Sequence, residues 1–150
     1  MLRDLVGIYG SRLRCLETDS WLARQPVTEL SKEAPGFDCF IVNDTEDFDV
    51  ANNAIIEVVA SKAGSWVEVF GNAAERIHDA IDEASVRVGR QRTVGEGNPM
   101  TAWHDVLSTA EIASYIWTGG QGESDVKVLI LVGSQTWAAE LKRMLVEHQR

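Results

Sequence analysis

Long apolar runs, cysteine, proline and positive charge are all scarce in this chain of 150 residues. The longest unbroken apolar stretch is Val128-Leu129-Ile130-Leu131-Val132, far short of the roughly 20 residues that cross a bilayer. The opening segment MLRDLVGIYGSR carries an acid at position 4 and no continuous apolar core, so no secretory leader is expected there. The two cysteines, Cys15 and Cys39, form no CxxC pair and have no histidine at zinc spacing. That excludes a disulfide scaffold and a zinc site, and it favours a reducing, cytoplasmic setting. Basic side chains number 14 against 23 acidic ones, for a net charge of −9. With no Lys/Arg cluster anywhere, neither nucleic acid nor an anionic membrane is expected as a partner.

What is present is an ordinary core-forming composition, 45% hydrophobic and 25% charged. A single domain of this length buries roughly 68–70% of the surface its unfolded chain exposes, and needs no metal or disulfide to do so. The charge is uneven. Residues 1–35 are neutral, residues 36–90 hold four basic and eleven acidic side chains, and residues 91–150 hold five and seven. Such an excess serves solubility, or it forms an acidic face for a basic partner.

From residue 36 the apolar periodicity is legible. Phe37–Val42 reads as a strand, and Val50, Ala51, Ala54, Ile55, Val58 and Val59 follow at helical spacing, with Asp47 as N-cap and Gly64 as the stop. Trp66–Phe70 is a second strand. Asn72 and Glu75 open a helix whose inner face is Ala73, Ile77, Ala80, Ile81 and Ala84. Residues 89–99 read as a loop with a short strand near Val88–Val94. Ser108 and Glu111 fit a capping box ahead of a helix reaching Trp117. TGGQGESD (118–125) is a loop, and Asp125–Val132 has the continuous apolar character of a strand buried on both faces. A final helix turns Trp137, Leu141, Met144 and Leu145 inward.

Alternating strands and helices predict an α/β fold. It is expected as one three-layer αβα domain over 36–150, with a mostly parallel sheet of 4–5 strands, Rossmann-like or flavodoxin-like. Residues 1–35 are expected as an irregular attachment: a helical turn from Leu2, Leu5, Val6 and Tyr9, an edge strand at Arg12–Glu17, and an anchor at Trp21-Leu22.

Parallel sheets bind ligands beyond the C-terminal ends of their strands. That rule nominates Asn43-Asp44, Gly71-Asn72 and Gly133-Ser134, together with the segment Met100–Asp105. Within this set His104 is the group suited to proton transfer near neutral pH, with Asp105 beside it and Asp44 as a candidate to orient its ring. Ser134–His104–Asp44 would make a hydrolase triad. A His-Asp pair ahead of a helix also serves as a simple cap, and Asp44–Asp49 suits a helix N-terminus while lacking the ligand ladder of a calcium loop. Asn72, Ser134 and Trp103 are candidate binding residues, tryptophan being enriched at interaction hot spots. On the second helix His78 and Asp82, like Asp79 and Glu83, lie four apart. They form either a weak metal-binding strip or a solvated face, with His148 too close to the end to assist.

Phosphate-loop, dinucleotide and GxSxG patterns are all missing, so no cofactor is implied. Gly119-Gly120-Gln121-Gly122 precedes a strand, the wrong order for presenting helix amides to phosphate. The strand ending near Phe70-Gly71, His78-Asp79 with Asp82-Glu83, and Met100-Thr101-Ala102-Trp103-His104-Asp105 resemble a small bacterial family of unknown function. Its pattern is WG at a strand end, HD-x-x-DE, and MT-x-WH before an amphipathic helix. The resemblance covers about residues 36–133, with Phe70 in place of the family's Trp and no counterpart for the N-terminal third. It implies a common fold without a mechanism, and it groups His78, Asp79, Asp82, Glu83 and His104 as a set, functional or fastening.

The expected function is binding of another macromolecule with a basic surface, as an immunity-type or accessory inhibitor. The alternative is a small metal-dependent hydrolase or nucleotide-processing enzyme with His104 as general base. Self-association into a homo-oligomer is a third possibility.

Overall fold

The computed structural model describes residues 2–8, 11–88, 99–105, 108–118, 124–133 and 135–147. In chain order the elements are β1 (Arg3–Ile8), β2 (Ser11–Thr18), α1 (Gln25–Lys32), β3 (Phe37–Asp44), a 3-10 turn (Val50–Asn52), α2 (Ala54–Lys62), β4 (Ala63–Gly71), α3 (Ala74–Val88), β5 (Met100–His104), α4 (Thr109–Trp117), β6 (Val126–Gly133) and α5 (Gln135–Glu147). Among the described residues, six strands form one sheet in the order β1-β2-β6-β3-β4-β5. Only β1 is antiparallel, against β2; the other pairings are parallel. The α/β class and the mostly parallel sheet therefore stand, with six strands instead of the 4–5 expected. The strand order differs from both Rossmann and flavodoxin-like orders.

The central strands β3 and β6 are buried along nearly their whole length, as unbroken apolar runs require. Alternate residues feed two separate hydrophobic clusters. Cys39, Ile41, Val67, Val69, Val128 and Ile130 pack with Leu30 of α1, Ile55 and Val59 of α2, and Ile77 and Ile81 of α3. Phe40, Val42, Phe70, Leu129 and Leu131 pack with Ile112 and Ile116 of α4 and with Leu141 and Leu145 of α5. Each fully buried side chain of this kind contributes about 1.5–3 kcal/mol. The sorting follows from the right-handed crossover rule. The steps β2→β3, β3→β4 and β4→β5 all travel one way across the sheet, and their helices share a cluster. The step β5→β6 travels back, so α4 lands in the other cluster.

Several local expectations are corrected. Residues 1–35 are not irregular. They supply β1, β2 and α1, and the Leu2–Val6 segment pairs with β2 in place of forming a helical turn, which puts β2 inside the sheet and not at its edge. Tyr9 lies outside the described residues. Trp21 is a buried anchor, packing edge-on against Phe48 at 5.0 Å. Asp47 does not cap α2: Asn53 does, accepting from Ile56 N at 3.2 Å, while Asp49 caps the 3-10 turn. Gly64 is not a helix stop but the second residue of β4, where a Cβ would lie 2.4 Å from Gly36 O. Met100–His104, read as a segment approaching a helix, is the edge strand β5, paired in parallel with β4. The strand expected near Val88–Val94 and the glycine loop at 119–122 lie essentially outside the described residues. Among the described residues, no helix is long and apolar enough to cross a membrane.

Candidate functional site

The C-terminal ends of β2, β3, β4, β5 and β6 share one rim, and Asn43 organises its centre. At 2% exposure, its side-chain oxygen accepts from Trp21 Nε1 at 2.9 Å and Thr45 N at 3.3 Å, and its amide donates to Asn72 O at 2.7 Å and Thr45 O at 3.0 Å. Asn43 and Asn72, nominated from the sequence, thus meet. Asn72 contributes backbone, its side chain being on an exposed residue. The turn between them is tight: Gly71 has φ +95°, and a Cβ there would lie 2.3 Å from Asn43 O. Ser134 lies outside the described residues, as does His148.

His104 does not meet Asp44. The two sit on β5 and β3 with β4 between, about 10 Å apart at two strand spacings. Asp44 and Asp105 are both exposed, and no Ser134–His104–Asp44 triad is assembled among the described residues. The acid beside His104 is instead Glu68 of β4. Its Oε2 lies 3.6 Å from His104 Nε2, while its Oε1 accepts from Trp66 Nε1 at 3.0 Å. Glu68 is 4% exposed, and Oε2 has no hydrogen-bond partner among the described residues. The His104 ring stacks on Phe70 at 5.1 Å and leans on Tyr115 of α4 at 4.5 Å. Glu68 is not among the residues nominated from sequence, because Trp66–Phe70 has the pattern of an ordinary strand. The sequence carries only the alternation of an acid with apolar residues; that both faces of the strand are covered, so that the carboxylate needs a partner, emerges with the fold.

His78 and His104 do not converge. Thr101 pairs with Val67 of one cluster and His104 with Phe70 of the other, so they point to opposite faces of β5. On the Thr101 face, Thr101 Oγ1 donates to Asp82 Oδ1 at 2.7 Å and lies 2.9 Å from His78 Nε2. His78 Nδ1 is 3.0 Å from Asp79 Oδ1. His78 and Asp82 thus fasten α3 to β5. Asp79 and Glu83 are exposed on the same helix, and Trp103, facing α3, is 37% exposed. Among the described residues, no three His, Cys, Asp or Glu side chains are arranged to hold a metal ion.

Elsewhere, at the N-terminal ends of β3 and β6 and away from the rim, a buried ion pair joins the two strands. Asp38 Oδ2 lies 3.2 Å from Lys127 Nζ and also accepts from Ser124 N, while Oδ1 accepts from Ser65 Oγ. Cys15 and Cys39 are free and buried, in opposite clusters. Burial, with the Glu17 charge adding to it, pushes the Cys15 thiol up to about 12. Burial also raises Cys39 well above the usual thiol range, with help from Asp38. Neither thiol is a nucleophile in the folded state.

Comparison with known proteins adds kinship without an activity. No curated protein matches the chain. A family model does, over residues 14–148, starting within β2. It takes in α1 and the Trp21 anchor, which the sequence resemblance over about 36–133 left without a counterpart. The family is the Domain of unknown function (DUF7684), and the chain belongs to it.

Proposed function

We propose that this protein acts by binding the basic surface of another macromolecule, in the manner of an immunity-type or accessory inhibitor, through the C-terminal rim of its sheet. One observation carries the reading. Leu22 and Val50, 64% and 49% exposed, sit on loops joined by the Trp21–Phe48 contact and by Ser20 Oγ donating to Asp47 at 2.5 Å. Exposed Asp44, Glu46, Asp47 and Asp49 lead up to Val50 along the chain after β3. An apolar centre with a charged surround is the anatomy of a protein interface, and a cavity of about 370 Å3 lined by Trp21, Val27 and Ala54 opens beside Leu22. Carboxylates of one sign select a basic partner mainly through association rate and specificity.

The experiment uses a partner isolated with the intact chain. Association should slow steeply between 0.1 M and 1 M salt. Leu22→Ser with Val50→Ser should abolish it, and Asp44→Lys with Glu46→Lys should weaken it tenfold or more, at unchanged unfolding midpoints. Binding that is equal at both salt concentrations refutes the reading.

A second reading, a small hydrolase or nucleotide-processing enzyme with His104 as general base, is favoured by the buried Glu68 carboxylate, which is suited to orient the imidazole. Loss of turnover in Glu68→Gln with binding retained would support it over the first. We also take the layering as three-layer αβα, supported by the two separate clusters, and the setting as cytoplasmic, in keeping with two free thiols on opposite faces of the sheet. Light scattering tests self-association.

A further inference from the structure

The connections that leave the rim switch faces of the sheet at β6. The strands on either side of it, β2 and β3, lead into helices packed in one cluster, whereas β6 leads into α5 in the other. Crevices open at such a switch. On the β3 side the crevice meets paired backbone, Asp44 and Gly133 staying in register to the ends of both strands. On the β2 side it is open, as a cavity of about 590 Å3, within the size range of small-molecule sites. Its walls differ in chemistry. Lys142 of α5 stands on one side, with one of its donors held by Glu17 Oε2 at 2.7 Å. Asp19 and Gln25, from the β2–α1 turn and the start of α1, stand on the other. Ala138 and Ala139 leave the space between them unfilled.

We infer that this crevice binds a small zwitterion of the amino-acid or short-peptide class, its ammonium on Asp19 and its carboxylate on Lys142. Glu17 already balances Lys142, which leaves the Asp19 charge uncompensated, so the site attracts a cationic group. A free anion meets two carboxylates for one ammonium and is repelled. A simple amine satisfies Asp19 but gives no acceptor to the Lys142 donors that Glu17 does not hold. The site adjoins the Leu22–Val50 surface, Ala23 lining the cavities of both, but its existence does not depend on that reading.

The test is titration of the full chain with L-serine, glycylglycine, ethanolamine and inorganic phosphate, followed by amide chemical shifts and thermal unfolding. The two zwitterions should shift the amides of Gly133, Ala138 and Ala139 and raise the unfolding midpoint, with ethanolamine and phosphate at least tenfold weaker. Asp19→Asn and Lys142→Met should each weaken the zwitterions tenfold or more, and Ala139→Phe should block them. Phosphate or ethanolamine binding as tightly as the zwitterions overturns the assignment of charge. Absence of any shift with all four probes, or zwitterion binding unchanged in Ala139→Phe, overturns the site.

Discussion

A single buried amide decides the shape of the rim. Asn43 bridges the N-terminal anchor Trp21, the loop after β3 and the turn after β4, so its removal strands the indole N–H and a backbone carbonyl in the interior. Asn43→Ala should cost about 2–4 kcal/mol, since each orphaned buried group costs about 1–3 kcal/mol. Urea denaturation measures it, and Trp21→Phe should then cost less in the Asn43→Ala background than in the wild type. The thiols make a pH prediction. Cys15 titrates at about 12 in the fold against an ordinary 9.0, so its contribution to stability is complete below pH 9 and is lost as the pH rises toward the folded value. The urea midpoint should fall above pH 9, and should fall less in Cys15→Ala/Cys39→Ala. Asn43 and Asn72 were legible as polar residues at strand ends, and His104 as a proton-transfer group in a segment ahead of a helix. Glu68 was not, because a strand's own period gives the alternation but not whether the second face is covered.

Between elements, the informative contacts are polar ones that fix which strand or helix meets which. Asp38 and Lys127 face each other in the β3–β6 register and are both buried. Removing one partner of such a pair strands a charge and costs about 3–5 kcal/mol, whereas replacing both with apolar groups is tolerated. Asp38→Asn should therefore destabilise far more than Asp38→Leu with Lys127→Met, read as two urea midpoints. At the sheet edge, the guanidinium of Arg12 holds the Asp4 carboxyl below its ordinary 3.8. The stability from this exposed pair is present above that value and fades as the pH falls through the lower folded one. Salt should weaken it too, and NMR titration of Asp4 at two ionic strengths checks both. Ser108 was recognisable as a cap from its spacing to Glu111, because a capping box is local, and the reciprocal bonds are there. Met100–His104 was not recognisable as a strand: only five residues long and half exposed, it shows no alternation and is held by pairing with β4.

At the scale of the whole molecule, a net charge of −9 loads one rim with carboxylates drawn from separate loops. Their mutual repulsion is screened by salt. Raising sodium chloride from 0.02 M to 0.3 M should lift the thermal midpoint by about 2–4 °C, the shift that roughly 1 kcal/mol gives in a domain of this size. A scan at both concentrations decides it, and a fall would mean that ion pairs such as Lys142–Glu17 outweigh the repulsion.

The sequence by itself determined the α/β class, four of the strands and the inward faces of α3 and α5. Those follow from apolar spacing, which a chain displays before it folds. Only the tertiary structure decided that residues 1–35 build one side of the sheet, that β6 lies between β2 and β3, that Glu68 and not Asp44 stands beside His104, and that His78 and His104 face apart. These are consequences of strand order and of which face each residue takes. Both are set by long-range pairing and crossover handedness, and neither leaves a mark in the local pattern of residues.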